Sequence, residues 1–189
     1  MDKTNKITDL AYISLAAVLI AVCSWISVPL TVPFTLQTFA VFCVLEILGG
    51  KRGTAAIGLY ILLGAVGIPV FAGFSGGIGI LLGTTGGYIL GFLFTGLLYW
   101  LGEAVFGEAF SNRGKAGFAF RIASLVLGLA VCYAFGTAWF MFVYARQTGA
   151  IALGTALSWC VLPFIVPDLI KLGMAVVIAA RLRRIIHLR

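Results

Sequence analysis

Asp168 and Lys171 stand one helical turn apart in the segment Pro163–Lys171, PFIVPDLIK, inside one of the most apolar stretches of the sequence. Residues at i and i+3 share a helix face, so the carboxylate and the ammonium can neutralise each other. A charge near the middle of a bilayer costs about 2.5–3.5 kcal/mol, and ionisable groups at that depth usually face a partner, a cavity or a ligand. An isolated pair recovers only part of its desolvation cost. A proton relay, an acid–base dyad, a structural bridge and a polar contact for a ligand are all open to such a pair.

Several chemistries lack the residues they need. Gly50-Lys51 resembles the end of a P-loop, but Leu45 stands where the first glycine of GxxxxGK belongs, and Arg52 replaces the required Ser or Thr. The sole histidine, His187, lies in a basic tail, and no recognisable nucleophile or acid–base set accompanies it. Cys23, Cys43, Cys132 and Cys160 sit within apolar runs without CxxC spacing, so they read as buried hydrophobes rather than metal ligands or disulfide partners. The chain is therefore expected not to be an enzyme and to hold no cofactor or metal.

The elements that carry the pair follow from composition. The sequence is 62% hydrophobic and its mean hydropathy is +1.14, beyond the range of soluble domains. A spanning helix needs about 20 apolar residues, so 189 residues fit one membrane domain over residues 1–189 and leave little for a soluble one. Charges, prolines and glycines mark six spans: about 10–28, 34–48, 54–71, 85–106, 120–144 and 151–180, the last bent or broken by Pro163 and Pro167. No cleavable leader is expected, because the first span lacks a small-residue cleavage signature near its end.

The basic residues set an orientation. Of 13 Lys and Arg, Lys171 is within a span and Arg146 follows the fifth. The other 11, from Lys3 and Lys6 through Lys51, Arg52, Arg113, Lys115 and Arg121 to Arg181, Arg183, Arg184 and Arg189, share one side if the N- and C-termini are cytoplasmic. The net charge of +7 thus reads as the positive-inside rule, with no nucleic-acid face. Glu46, Glu103 and Glu108 fall near the inner boundary and read as structural. Asp168 then lies in the outer half of the last span, beneath nearly uncharged connections.

Two further patterns bear on a site. Gly73, Gly76, Gly77 and Gly79 are too dense for a helix interior and suggest irregular backbone over a cavity or ligand; Phe71, Phe74 and Tyr88 flank them. Thr35, Gln37 and Thr38 bring hydrogen-bonding groups near the level of Asp168, with helix capping an equal role for Thr35. Gly87 and Gly91, and Ala17 and Ala21, have the spacing of closely packed membrane helices, within the chain or against another subunit.

Taken together, VPFTLQTFAV at Val32–Val41, YILLGAVGIPVFAGFSGG at Tyr60–Gly77, GTTGGYILGF at Gly83–Phe92 and PFIVPDLIK resemble the BioY family, the biotin-specific substrate-binding (S) components of energy-coupling factor (ECF) transporters. Thr84 departs from the family's usual proline in GPTGGY, which should loosen the start of the fourth span. The resemblance implies an all-α, six-helix integral membrane protein of the cell membrane that captures biotin from outside. Its partners would be a transmembrane coupling protein and two ATP-binding-cassette ATPases, in keeping with the missing P-loop. It implies Asp168 and Lys171 as principal biotin contacts, Thr35, Phe34, Gln37, Gly76, Gly77 and Tyr88 as pocket contributors, and Ala17 and Ala21 as an AxxxA docking signature. Asp168 could accept a ureido N–H while Lys171 donates to the ring carbonyl or orients the aspartate; alternatively Lys171 binds the valerate carboxylate.

Overall fold

A computed structural model describes residues 3–111 and 114–185 of the chain. Arg113, His187 and Arg189 lie outside the described residues, as do the side chains of Lys3, Glu108 and Arg184. The element order is α1 (Lys3–Trp25), β1 (Ser27–Val28), β2 (Phe34–Thr35), α2 (Gln37–Ala65), a 3-10 turn (Ala72–Phe74), α3 (Ile78–Leu82), α4 (Gly86–Ser111), α5 (Lys115–Gln147), α6 (Leu153–Cys160) and α7 (Leu162–Ile185). Among the described residues, four helical stretches are long and apolar enough to cross a membrane: Lys6–Trp25, Gly86–Gly107, Lys115–Gln147 and Leu153–Arg183.

On α1 the residues Ala16, Ala17, Ile20, Ala21 and Ser24 are buried against the bundle, while Leu15, Val18, Leu19 and Val22 are exposed. An exposed aliphatic face on a long helix suits contact with lipid tails. Ala17 is 1% exposed and Ala21 5%, so the pair that the resemblance places at a partner's surface is enclosed within this chain. The short methyl side chains let α1 approach the bundle closely, the other use open to that spacing.

The second and third expected spans form one element with a sharp reversal inside it. Gly49 in α2 adopts φ 80° and ψ 174°, a conformation that only glycine enters freely. A Cβ on Gly53 would stand 3.1 Å from the Cα of Leu45, so the chain doubles back and the arms 37–48 and 50–65 lie side by side. The turn falls just before Lys51 and Arg52, the charges expected to close the second span. The Gly50 N–H, at the start of the second arm, donates to Glu103 Oε2 on α4 at 2.7 Å, where a carboxylate satisfies an otherwise unpaired helix N-terminus. The second arm stops at Ala65, short of the expected Phe71, because Gly67 takes φ 101° and Pro69 follows.

The glycine-rich connection after α2 is irregular, as expected, although Gly79 lies in the short helix α3. Gly77 has φ 99°, its N–H donates to Gly64 O at 2.7 Å, and a Cβ on Gly76 would collide with Ile68 O at 2.4 Å. Trp25 stacks on Phe74 with centroids 5.0 Å apart and donates its indole N–H to Pro69 O at 2.9 Å. These contacts pin the connection to α1. Gly87 and Gly91 do serve close packing: α4 meets Trp139 and Cys132 of α5 at these positions.

The expected break in the last span occurs at Val161, with φ −127° and ψ −57° between α6 and α7. Pro163 occupies the first turn of α7, where its missing N–H costs nothing, and Pro167 lies inside the helix. A two-residue antiparallel ladder, Ser27↔Thr35 and Val28↔Phe34, was not expected in an all-α chain. It holds the entry to α2 so that Thr35 faces α7.

At one end of the bundle, Glu46 is 2% exposed and gathers three partners. Tyr99 donates to Oε1 at 3.0 Å, and Arg121 and Arg183 lie 3.4 Å and 3.7 Å from Oε2. This glutamate, read as structural from the sequence, joins α2, α4, α5 and α7.

Candidate functional site

Asp168 and Lys171 project from α7 with each residue 3% exposed, and Lys171 Nζ is 2.8 Å from Asp168 Oδ1. Three other elements complete the cluster. Thr38, on the first turn of α2, donates to Asp168 Oδ1 at 2.9 Å. Tyr133 of α5 donates to Oδ2 at 2.6 Å, within the range of a charge-assisted O–H···O⁻ bond. The ammonium donates to Thr35 O of β2 at 2.7 Å and to Thr38 Oγ1 at 3.1 Å. Its three protons therefore have three acceptors, and Nζ also stands 4.0 Å from the Phe34 ring centroid, a cation–π contact.

This network removes the energetic anomaly of the pair. In a low-dielectric interior two opposed charges are tolerated when their remaining protons and lone pairs are also engaged. The hydroxyls, the carbonyl and the aromatic face do this while keeping the cluster electrically neutral.

The pair forms part of the wall of a cavity of about 180 Å³, more than ten times the roughly 10–15 Å³ that one water requires. Most of the wall is apolar, with Phe71, Ile89, Phe92, Leu129 and Phe164 among its residues, and the polar groups are few. Apolar walls with a small number of fixed polar groups are the usual construction of a small-molecule site.

Thr35, Gln37, Tyr88, Asp168 and Lys171 line this cavity, five of the eight residues expected to contact the ligand. Gln37 Nε2 donates to Tyr60 at 3.0 Å, and the Tyr88 hydroxyl is 2.9 Å from Thr137 Oγ1. Phe34 stands behind the wall, between Lys171 and Phe164, whose ring it stacks on at 6.2 Å. Gly76 and Gly77 are not among the lining residues, whereas the neighbouring Phe71, Ala72 and Ser75 are. Their backbones are instead engaged against Ile68 and Gly64. Thr35 also fills the role left open for it, since its hydroxyl accepts the Gln37 N–H at 3.1 Å.

Tyr133 is the principal contributor that sequence reasoning missed, together with Thr85 and Phe164. A phenol in the middle of the apolar run LVLGLAVCYAF was the available signal, because a buried Tyr O–H needs an acceptor.

Comparisons with known proteins place the chain among relatives of known family and fold. The model of the BioY family matches residues 1–188. The "Biotin transporter BioY" of Thermotoga maritima is 45% identical over 168 residues, covering 88% of this chain and 90% of that protein. The "Probable biotin transporter BioY" of Pyrococcus horikoshii is 42% identical over 182 residues, 94% and 98% of the two chains. A crystal structure described as the S-component for biotin from an ECF-type ABC transporter superposes with a TM-score of 0.81 at 29% identity, covering 97% of this chain and 95% of that one.

Proposed function

The chain belongs to the BioY family, and from that premise we propose that it is the S component of an ECF-type importer that binds biotin with high affinity from the extracellular side. ATP-driven uptake is then completed by a transmembrane coupling protein and two ATP-binding-cassette ATPases. The observation that carries the reading is the Asp168–Lys171 pair, neutralised within its own network and set in the wall of an otherwise apolar cavity. Biotin suits such a wall: its fused rings carry two N–H donors and one carbonyl on an apolar body.

The fold enters the bilayer in six crossings with both termini cytoplasmic. The doubling back of α2 supports this count, since it supplies two apolar arms from one element, and the 11-to-1 distribution of basic residues supports the orientation. Asp168 and Lys171 are the principal polar contacts, with Thr35, Gln37 and Tyr88 around them. Phe34 supports Lys171, and Gly76 and Gly77 hold the connection that closes over the cavity.

Isothermal titration of the detergent-purified protein with biotin tests the reading. Submicromolar binding is expected, with a steep loss in Asp168→Asn and Lys171→Ala variants that retain their helical circular dichroism. No heat with biotin removes the function; wild-type binding that both variants preserve removes the site.

A further inference from the structure

The hydrogen-bond inventory of the Asp168 cluster has a direction. The ammonium protons of Lys171 go to Thr35 O, Thr38 Oγ1 and Asp168 Oδ1. The hydroxyl proton of Thr38 goes to Oδ1, and that of Tyr133 to Oδ2. Lys171 has three protons and each hydroxyl has one, so every donor in the cluster is spent inside it. Oδ1 already accepts two bonds, whereas Oδ2 accepts one and keeps a second lone pair. The phenol oxygen of Tyr133, a residue that also lines the cavity, keeps its acceptor capacity too.

We propose that Tyr133 is a positioning and specificity-determining residue, which fixes Asp168 Oδ2 as the acceptor for a ligand N–H. Lys171 and Thr38 hold only Oδ1, leaving the carboxylate free to pivot about that oxygen. Tyr133, reaching from another helix, fixes the second oxygen and with it the carboxylate plane. At this cluster the wall then offers acceptors to the cavity, so the ligand group selected at Asp168 is a donor. Resting on the biotin reading above, this puts the ureido end of the ligand at Asp168 and narrows the part of Lys171 in that reading from a direct contact to support of the carboxylate.

Titration of the full-length wild type, Tyr133→Phe, Asp168→Asn and the double variant with biotin tests the inference, together with biotin analogues methylated at either ureido nitrogen. A hydrogen bond to a charged group is worth roughly 10- to 100-fold in an equilibrium constant, and Tyr133→Phe is expected to raise Kd by about that factor. It should add less than about 2-fold in the Asp168→Asn background, because Tyr133 acts through Asp168. Methylation of one ureido nitrogen should weaken wild-type binding at least about 10-fold, and Tyr133→Phe should lose much of that discrimination, which a merely structural role would leave in place. Unchanged biotin affinity in Tyr133→Phe overturns the inference, as does an effect that persists in full beside Asp168→Asn. Should Asp168→Asn bind too weakly to measure, the analogues decide: a wild type indifferent to methylation at both nitrogens overturns the inference with no variant needed. A wild type that binds no biotin overturns the function as well.

Discussion

Gln37 and Tyr60, 23 residues apart in sequence, are joined by a 3.0 Å hydrogen bond from the amide nitrogen of one to the phenol of the other. In a straight helix they would be about 35 Å apart. Their contact is the far end of the reversal at Gly49, and it carries Gln37 to the cavity and Thr38 to Asp168. Site geometry therefore depends on backbone freedom at the opposite end of the two arms.

Substitutions at the reversal test this dependence. Gly49→Ala forces a side chain into φ 80° at a cost of about 1–3 kcal/mol. Gly50→Ala should be at least as harmful, because its Cβ would stand 2.4 Å from the Cα of Trp100 and packed helix backbones yield little. Gly58→Ala meets nothing within 4 Å and should leave stability unchanged or raised by about 0.4–1 kcal/mol. Thermal unfolding in detergent ranks the three; equal midpoints for Gly50→Ala and Gly58→Ala would contradict the account.

The ion pair should be worth less as a pair than its single loss suggests. Lys171→Met strands a buried carboxylate and is expected to cost about 3–5 kcal/mol. Adding Asp168→Asn removes the orphaned charge, so the double variant should unfold at a higher temperature than Lys171→Met alone while remaining unable to hold biotin tightly. A double variant less stable than the single one would show that the charges are not what the network compensates.

What the sequence disclosed of this site was its charge anomaly. Two ions in an apolar run are visible without a fold, and Thr35, Gln37 and Thr38 were visible as hydroxyls and an amide at a shared depth. Tyr133 left only a weak signal, a phenol in an apolar run, since a tyrosine inside a membrane helix is ordinary and its partner lies 35 residues away. The density of Gly73, Gly76, Gly77 and Gly79 marked irregular backbone, but glycine count says nothing about which way a loop faces, and it is Phe71, Ala72 and Ser75 that meet the cavity. The spacing of Ala17 and Ala21 signalled close packing; only burial tells which helix is packed against.

Removing Glu46 should loosen the end of the bundle remote from the cavity. Glu46→Gln leaves Arg121 and Arg183 facing each other without the carboxylate they share. A loss of about 3–5 kcal/mol is expected for breaking a buried ionic cluster on one side. Biotin affinity of the surviving folded fraction should change less than about 3-fold. A folded fraction that has lost its affinity would mean that the two polar clusters are coupled.

The aromatic clasp on the connection after α2 has its own readout. Trp25→Ala removes the stack on Phe74 and the bond to Pro69 O, together worth about 1–2 kcal/mol. Hydrogen exchange at the Phe71 and Gly77 amides, which donate to Ser75 O and Gly64 O, should accelerate roughly 10-fold. Exchange unchanged at both positions would show that the connection is held by something other than Trp25.

Orientation can be read with introduced cysteines, because Cys23, Cys43, Cys132 and Cys160 are all buried and should give little background. Ala150→Cys, just beyond α5, should react with an impermeant thiol reagent added outside intact cells. Lys51→Cys should react only after the membrane is opened. The reverse pattern would invert the topology.

Thr35, Thr38 and Tyr133 belong to segments made well before α7, which brings both ions of the cluster. Until that helix enters the bilayer, its three partners have hydroxyls and a carbonyl in place but no charge to receive them. The polar cluster in the cavity wall is thus completed last, when the carboxylate and the ammonium arrive together and join four elements. If biotin binds as proposed, its binding reports on completed assembly: a chain stalled before α7 has no Asp168 carboxylate to offer, however well its earlier helices have packed.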